Sequence, residues 1–411
     1  MRIPIAATVI LFLFSILIDL YIAFDVKSSF HTRKAVRWYW VSAVACWIFL
    51  IVILCLPRRN SESGLLPVMW MLFSYLSIYI GKLGYIFSSA IGRLVNLIFR
   101  LKTEIHPFRF FGVLFGISLC GILWGGVYYT RHHIMVVRED FVSTKLPTEF
   151  NGFKIVQISD LHVGTWGNDT TFLSSLVDSV NAQQPDLIVF TGDIVNRQTS
   201  ELTPFKSTLS RLKARYGVYS ILGNHDYGDY VDWEKTDHRN ANNDLLAQYE
   251  REMGWQLLNN KSKVISSGND SIILIGVENW GEPPFPTYGD LNSAIYPSPD
   301  SMINQNDGNF KILLSHNPEH WNREVSKNTN INLTLSGHTH AMQTMVKIGN
   351  WKWSPAKYRY EQWGGRYDRN NKNGEPTTLY VNIGAGSVGM PTRLLGAFPE
   401  ITVITLKDER Q

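Results

Sequence analysis

Two histidines flank a threonine in Gly337-His338-Thr339-His340. Upstream, in chain order, stand Asp160-Leu161-His162, Gly192-Asp193, Gly223-Asn224-His225-Asp226 and an isolated His316. Together they supply hard oxygen and borderline nitrogen ligands in enough number for two adjacent metal ions. Two metals held side by side usually serve the hydrolysis of phosphate esters.

Each motif has its own logic. In Asp160-Leu161-His162 an extended backbone sends both outer side chains to one side, where a carboxylate and an imidazole can share an ion. The Asp193 carboxylate has two oxygens and can bridge two ions, and Gly192 lets backbones approach closely. Asn224 offers a neutral carbonyl, which limits the charge packed together. His225 points elsewhere and suits a proton donor, with Asp226 orienting its ring. His338 and His340 present two imidazoles one residue apart, again on one side of an extended segment. Singly these are weak signals. Asp-x-His and Gly-Asp recur by chance, the tetrapeptide at 223–226 reads more readily as a turn, and a lone His316 is more often structural.

The motifs gain weight from the elements that deliver them. Residues 154–159 read as a buried strand ending at Asp160, residues 186–191 as a strand ending at Gly192-Asp193, and residues 218–222 as a strand ending at Gly223. Helical periodicity over 172–181 and 204–213 separates them. Open α/β sheets place sites in this way, at the carboxyl ends of strands. A second set of strands is expected at 263–266, 271–277, 310–315, 332–336, 379–383 and 401–406. Two of these end at His316 and at Gly337-His338. Strands interspersed with helices imply two packed sheets covered by helices. Two aromatic stretches, 278–300 (Trp280, Phe285, Tyr288, Tyr296) and 351–367, read either as self-packing loops or as a rim for an apolar or sugar-bearing substrate.

The 411-residue chain carries a net charge of +4, too weak a balance to argue for a nucleic-acid partner. Its cysteines, Cys46, Cys55 and Cys120, all lie in apolar stretches, so the C-terminal two thirds has neither a disulfide framework nor a thiolate site. Apolar runs at 3–24, 38–56, 65–81 and 110–129 each approach the length that crosses a ~30 Å hydrocarbon core. Residues 83–101, broken by Gly84, Gly92, Arg93 and Arg100, read as an interfacial or packed helix rather than a span. Residues 1–133 are thus expected to form an all-α transmembrane region of about four helices, and residues 134–411 a soluble α/β domain. Asp19 and Lys82 sit near the ends of their runs, where a snorkelling side chain costs little. Lys27, Arg33, Lys34, Arg37, Lys82, Arg93, Arg100, Lys102 and Arg109 outweigh Arg2, Arg58, Arg59, Arg131 and Arg138 on the opposite side. That excess puts the first and third connections in the cytoplasm and the C-terminal domain outside it. In a bacterium this describes a multi-pass protein of the inner membrane.

Five motifs in one order, each at a strand end, resemble the calcineurin-like metallophosphoesterases over roughly residues 150–407. The resemblance implies a four-layer α/β/β/α sandwich with two mixed sheets and a binuclear centre. One metal would take Asp160, His162, Asp193 and His340, and the other Asp193, Asn224, His316 and His338. His225, with Asp226, would stabilise the phosphoryl oxygens or protonate the leaving oxygen. Oxygen and nitrogen ligands without sulfur suit Mn²⁺, Fe or Zn²⁺, with Mn²⁺ favoured.

Further along, Leu379-Tyr380-Val381-Asn382-Ile383-Gly384-Ala385-Gly386 leads into Gly389-Met390-Pro391-Thr392-Arg393 and Phe398-Pro399-Glu400-Ile401. This wording is similar to the membrane-anchored branch of that superfamily, which includes enzymes similar to the UDP-2,3-diacylglucosamine pyrophosphatase of lipid A synthesis. The chain departs from the commonest wording at Glu278-Asn279, where relatives often carry an acidic pair, and in its Trp/Tyr-rich stretch after residue 350. Arg393 reads either as a bidentate phosphate clamp or as an ion-pair partner of Glu400. The expected function is membrane-anchored, metal-dependent hydrolysis of a phosphodiester or pyrophosphate, with a lipid-linked or nucleotide-linked envelope precursor as substrate. The competing expectation is a membrane receptor or scaffold with a degenerate phosphoesterase domain, against which the complete ligand set argues.

Overall fold

The computed structural model describes residues 5–30, 32–100, 106–283, 286–295, 308–349, 351–371 and 373–410. Phe285 and Tyr296 of the aromatic rim, and Arg2 and Lys102 of the charge tally, lie outside the described residues. The chain divides into two compact units, Met1–Tyr128 with Gly389–Thr392, and Tyr129–Val388 with Arg393–Gln411.

The first unit holds α1 (Ile5–Phe30), α2 (Arg33–Cys55), α3 (Leu65–Ile98) and α4 (His106–Tyr128). All four are long and apolar enough to cross a membrane. Residues 83–98 do not form a separate interfacial helix. They continue α3, which at ~1.5 Å per residue rises ~51 Å and so exceeds a ~30 Å core. The glycines that looked like helix breakers are packing positions. A Cβ on Gly84 would stand 3.1 Å from the Cα of Gly116, and one on Gly116 would collide with the Gly81 carbonyl. Small residues let α3 and α4 approach closely, as membrane helices commonly do.

The charges in this unit do not snorkel. Asp19 is fully buried and accepts hydrogen bonds from the Tyr39 hydroxyl (2.6 Å), the Trp47 indole (2.9 Å), the Tyr79 hydroxyl (2.8 Å) and the Lys82 ammonium (2.7 Å). Asp25, also buried, takes Arg93, Arg109 and the Tyr85 hydroxyl. Lys82, Arg93 and Arg109 therefore belong inside the helices, paired with carboxylates, and drop out of the loop-charge tally.

The second unit contains two six-stranded mixed sheets. In spatial order the first runs Met135–Ser143, Glu400–Asp408, Lys154–Ile158, Leu187–Phe190, Val218–Ser220 and Trp255–Leu257. Its strands are parallel except where Glu400–Asp408 meets Lys154–Ile158. The second runs Gly365–Asn370, Pro376–Val381, Leu333–Ser336, Phe310–Leu314, Asp270–Gly276 and Lys261–Ser267, antiparallel at both ends and parallel between. Side chains alternate across each strand. Ile155, Leu187 and Val189 meet Ile312, Leu314 and Leu335 in the core between the sheets. Val156, Ile158, Ile188 and Phe190 pack on the other face beneath the helix Thr171–Asn181. Ile273, Leu313 and Val381 pack outward against Trp321 and Val325. These layers make up the α/β/β/α sandwich. Gln157 joins the sheets under the motif loops, its amide donating to Thr191 Oγ1 (3.0 Å) and to the Ser336 carbonyl (2.8 Å).

A buried carboxyl also supports one motif strand from the helix Thr236–Glu252. Glu250 is fully buried and accepts from the Ser220 hydroxyl at 2.5 Å. Burial, with a smaller push from Asp226, raises its pKa from 4.5 to about 8. The folded state therefore keeps a proton that the unfolded chain releases, so stability falls as pH rises from about 4.5 through 8. Glu250→Gln should flatten that slope. Thermal unfolding of the full-length protein at pH 5 and pH 9 should show the variant gaining a few degrees on wild type at the higher pH. Parallel pH profiles would contradict the assignment.

Candidate metal centre

The motif residues do not sit on extended backbone. Asp160, His162, Asp193, His338 and His340 all adopt positive φ, at 53°, 43°, 60°, 74° and 51°. Each left-handed residue of this kind costs roughly 1–2 kcal/mol, and such residues persist where surrounding bonds over-determine them. Those bonds are present. The Asp160 amide donates to the Gly192 carbonyl (2.9 Å), and the His162 amide to the Asp193 carbonyl (3.2 Å). The His338 amide donates to both Asp160 carboxylate oxygens at 3.1 Å. Glycine is required where two of these loops touch, since a Cβ on Gly223 would stand 2.7 Å from the Asp193 amide nitrogen.

The loops bring six donor side chains together. Asp160, His162, Asp193 and His340 form one group, and Asp193, His316 and His338 another, each with donor atoms within 4.8 Å of one another. Asp193 belongs to both. Its Oδ2 lies 3.5 Å from His162 Nε2 and 3.2 Å from His316 Nε2. His162 and His340 point their Nε2 atoms at each other across 3.0 Å, and Asp160 Oδ1 is 3.1 Å from His340 Nε2. His338 Nδ1 is 3.3 Å from His316 Nε2. Asn224 stands next to His225, whose amide donates to Asp193 Oδ1 (2.9 Å), and its own Oδ1 is buried with no hydrogen-bond partner. Nitrogens aimed at one another and an orphaned buried carbonyl are what a cation would satisfy. The donor set fits two divalent ions.

Protonation at three of the donors agrees with that fit. Burial pushes His162 well below its usual range, and burial with the His316 charge takes His338 to about 3, so both rings are open as ligands. Burial resists ionisation of Asp160, yet the His340 ring beside it holds the carboxyl near 2. His316 alone is pushed up, to about 9, because Asp193 overcomes the effect of burial.

Around the donors stands a second set of residues, most of them not marked by the motifs. Asp226 does not touch the His225 ring. It is fully buried and accepts the amides of Asp193 (2.8 Å), Ile194 (3.0 Å), Val195 (3.2 Å) and Gly223 (2.9 Å). Burial and the Asp193 charge push its pKa to about 7 while the amides pull it down. Its work is to clamp two motif loops together. The His225 ring is oriented instead by the Asn196 carbonyl, 2.6 Å from Nδ1. Glu201 holds that carbonyl's segment by accepting the Asn196 and Arg197 amides at 2.7 and 3.2 Å. Arg393 is neither a phosphate clamp nor an ion pair with Glu400. It is buried and donates to the carbonyls of Ala397 (2.6 Å), Gly386 (2.5 Å) and Ile383 (2.8 Å). It thereby shapes the loop whose Gly386 amide supports the Asp160 carbonyl at 2.7 Å.

Two tyrosines complete the surroundings. Tyr230 accepts from Asn224 Nδ2 (2.8 Å), which fixes the amide and leaves its buried Oδ1 unpartnered, and its ring stacks on His225 at 4.2 Å. Tyr360 places its hydroxyl 3.1 Å from His338 Nε2. Nearby, the Trp363 carbonyl accepts from the Thr339 hydroxyl at 2.6 Å. The aromatic stretch after residue 350 thus holds the Gly337–His340 motif in place. Because Tyr230 fixes the Asn224 amide, Tyr230→Phe should weaken the ion beside Asn224 by about tenfold and leave the other unchanged. Metal titration of the full-length protein would show this, and two unaltered binding steps would contradict it.

The calcineurin-like phosphoesterase family model matches residues 153–342. The uncharacterised metallophosphoesterase YkuE of Bacillus subtilis is 31% identical over 318 residues, covering 73% of this chain and 96% of that protein. A Danio rerio transmembrane protein with a metallophosphoesterase domain is 31% identical over 66% of this chain and 57% of its own length. The UDP-2,3-diacylglucosamine pyrophosphatase LpxG of Chlamydia muridarum is 27% identical over 48% of this chain and 68% of that protein. With this buried Asp/His centre and these relatives, the chain belongs to the calcineurin-like metallophosphoesterases, metal-dependent hydrolases of phosphoric esters.

Proposed function

We propose that the protein is a multi-pass membrane phosphoesterase whose binuclear centre hydrolyses a phosphodiester or pyrophosphate bond. Asp160, His162, Asp193 and His340 hold one ion, and Asp193, Asn224, His316 and His338 hold the other. The observation that carries this reading is the single Asp193 oxygen within 3.5 Å of a nitrogen from each donor group. Two divalent cations there, Mn²⁺ in preference to Fe or Zn²⁺, would supply Lewis acidity at phosphorus and acidify a water.

His225 supplies the proton chemistry. Its Nδ1–H is committed to the Asn196 carbonyl, which leaves Nε2 free. Burial lowers its pKa, so the ring is neutral before substrate arrives. An anionic phosphoryl group beside it favours the protonated form, which then donates to the departing oxygen. Asp226 acts through the backbone it holds.

For the substrate we favour a nucleotide-linked or lipid-linked envelope precursor such as UDP-2,3-diacylglucosamine. The pyrophosphatase name of the Chlamydia relative and four apolar helices support that class. With Lys82, Arg93 and Arg109 set aside, the loop charges keep a small excess on the first and third connections. This supports a bacterial inner-membrane protein with its catalytic unit outside the cytoplasm. A reporter enzyme active only in the cytoplasm, fused to the C-terminus, should then be silent. An active fusion would reverse the orientation and strengthen the UDP-linked substrate.

The chemistry is tested on full-length protein with bis(p-nitrophenyl) phosphate and Mn²⁺. His225→Ala should lower kcat by roughly 10²–10⁴-fold with metal content intact. Unchanged turnover in the variant would remove His225 from the mechanism, and no hydrolysis by metal-loaded wild type of this diester or of a UDP-linked pyrophosphate would overturn the reading.

A further inference from the structure

The helical unit contains a groove of about 760 Å³ that the hydrolytic reading does not use. Residues of all four helices line it, among them Ile22, Tyr39, Ile78, Val113 and Ile117, and two cations, Lys82 and Arg109, reach into it. Along α4 its lining runs from Arg109 to Cys120, a rise of ~16 Å that accommodates a lipid acyl chain over most of its length. Arg109 stands in the first turn of α4. The groove therefore begins at a cation in the first turn of α4 and continues along that helix among apolar side chains.

The charges give the occupant its sign. Among the described residues of the four helices the buried carboxylates are Asp19 and Asp25, and the cations that pair with them include Lys82, Arg93 and Arg109. Among the described residues at least three cations face these two carboxylates, which leaves positive charge in excess. Such charge within apolar helices is costly unless an anion answers it. Donors remain to make that answer. Arg109 uses Nε and Nη2 on Asp25 and Nη2 again on Ser28, and its Nη1 has no partner among the described residues. Among the described residues the Lys82 ammonium makes one hydrogen bond, to Asp19, and it lies 4.4 Å from the Tyr79 ring centre.

We propose that this groove binds one anionic membrane phospholipid, with an acyl chain along α4 between Val113 and Ile117 and its phosphate on Arg109. Charge complementarity decides against a zwitterionic lipid, whose own cation would face the Arg109 guanidinium. The inference is independent of the phosphoesterase chemistry.

The test uses full-length protein in detergent, exchanged into mixed micelles of phosphatidylglycerol and phosphatidylcholine and analysed by native mass spectrometry. One phosphatidylglycerol per chain should be retained, at least fivefold over phosphatidylcholine. Ile117→Trp, at a position 63% exposed and so outside the packed interior, should fill the groove and abolish retention, and Arg109→Gln should abolish the headgroup preference. Equal retention of the two lipids would overturn the anionic assignment. Full phosphatidylglycerol selectivity in Ile117→Trp would overturn the groove as its site. A second measurement needs no variant: phosphatidylglycerol with a photoreactive acyl chain should label residues 109–120 and 78–85 of wild type. Labels spread evenly over the outer faces of the helices would contradict the proposal.

Discussion

Asp193 carries its carboxylate into a dry place where two sets of imidazole nitrogens end, and the surrounding loops are shaped by keeping it there. Such a gathering repels itself unless cations are added. Nitrogen lone pairs face one another, Asn224 has a buried carbonyl without a partner, and two carboxylates lie side by side. Metal binding and folding would therefore be coupled here. The left-handed backbone at five donors is part of the same arrangement. It turns side chains from separate strand ends inward, and Asp226 stabilises the turns by gathering four amides from two loops.

Much of this site could be read from the chain before its fold was known. Short apolar runs located the strands, and strand ends located the donors, because buried strands leave little freedom in where they deliver the next residue. The backbone at the donors was read wrongly as extended. Positive φ at Asp160 or His338 has no local signal, since those residues are forced into it by bonds to loops far along the chain. For the same reason Asp226 was given to the ring next to it rather than to the amides of residues 193–195. The charge of Arg393 suggested a phosphate or Glu400 as its partner, while the fold directs it to three carbonyls. Tyr230 had a faint signal, an aromatic six residues after Asn224. Tyr360 had only the general density of aromatics around it.

The helices tell a similar story. Hydrophobicity found all four, and their lengths alone make them membrane candidates. It did not reveal that the charged residues within them pair with one another. Asp25 meets Arg93 and Arg109, 68 and 84 residues away, and no periodicity links such positions. Glycine was read as interruption at residues 84 and 92, whereas against a neighbouring helix it is the residue that lets two backbones close. In both units the errors came from residues whose roles are set by distant partners, and the successes from residues whose roles are set by local pattern.

The central claim is that one carboxylate joins two metal ions. Electron paramagnetic resonance of the full-length protein loaded with Mn²⁺ tests it most directly. Ions bridged by Asp193 must give the spectrum of an exchange-coupled pair, and Asp193→Asn must convert any remaining signal to that of isolated ions. A fully loaded wild-type protein showing only isolated Mn²⁺ would contradict the account.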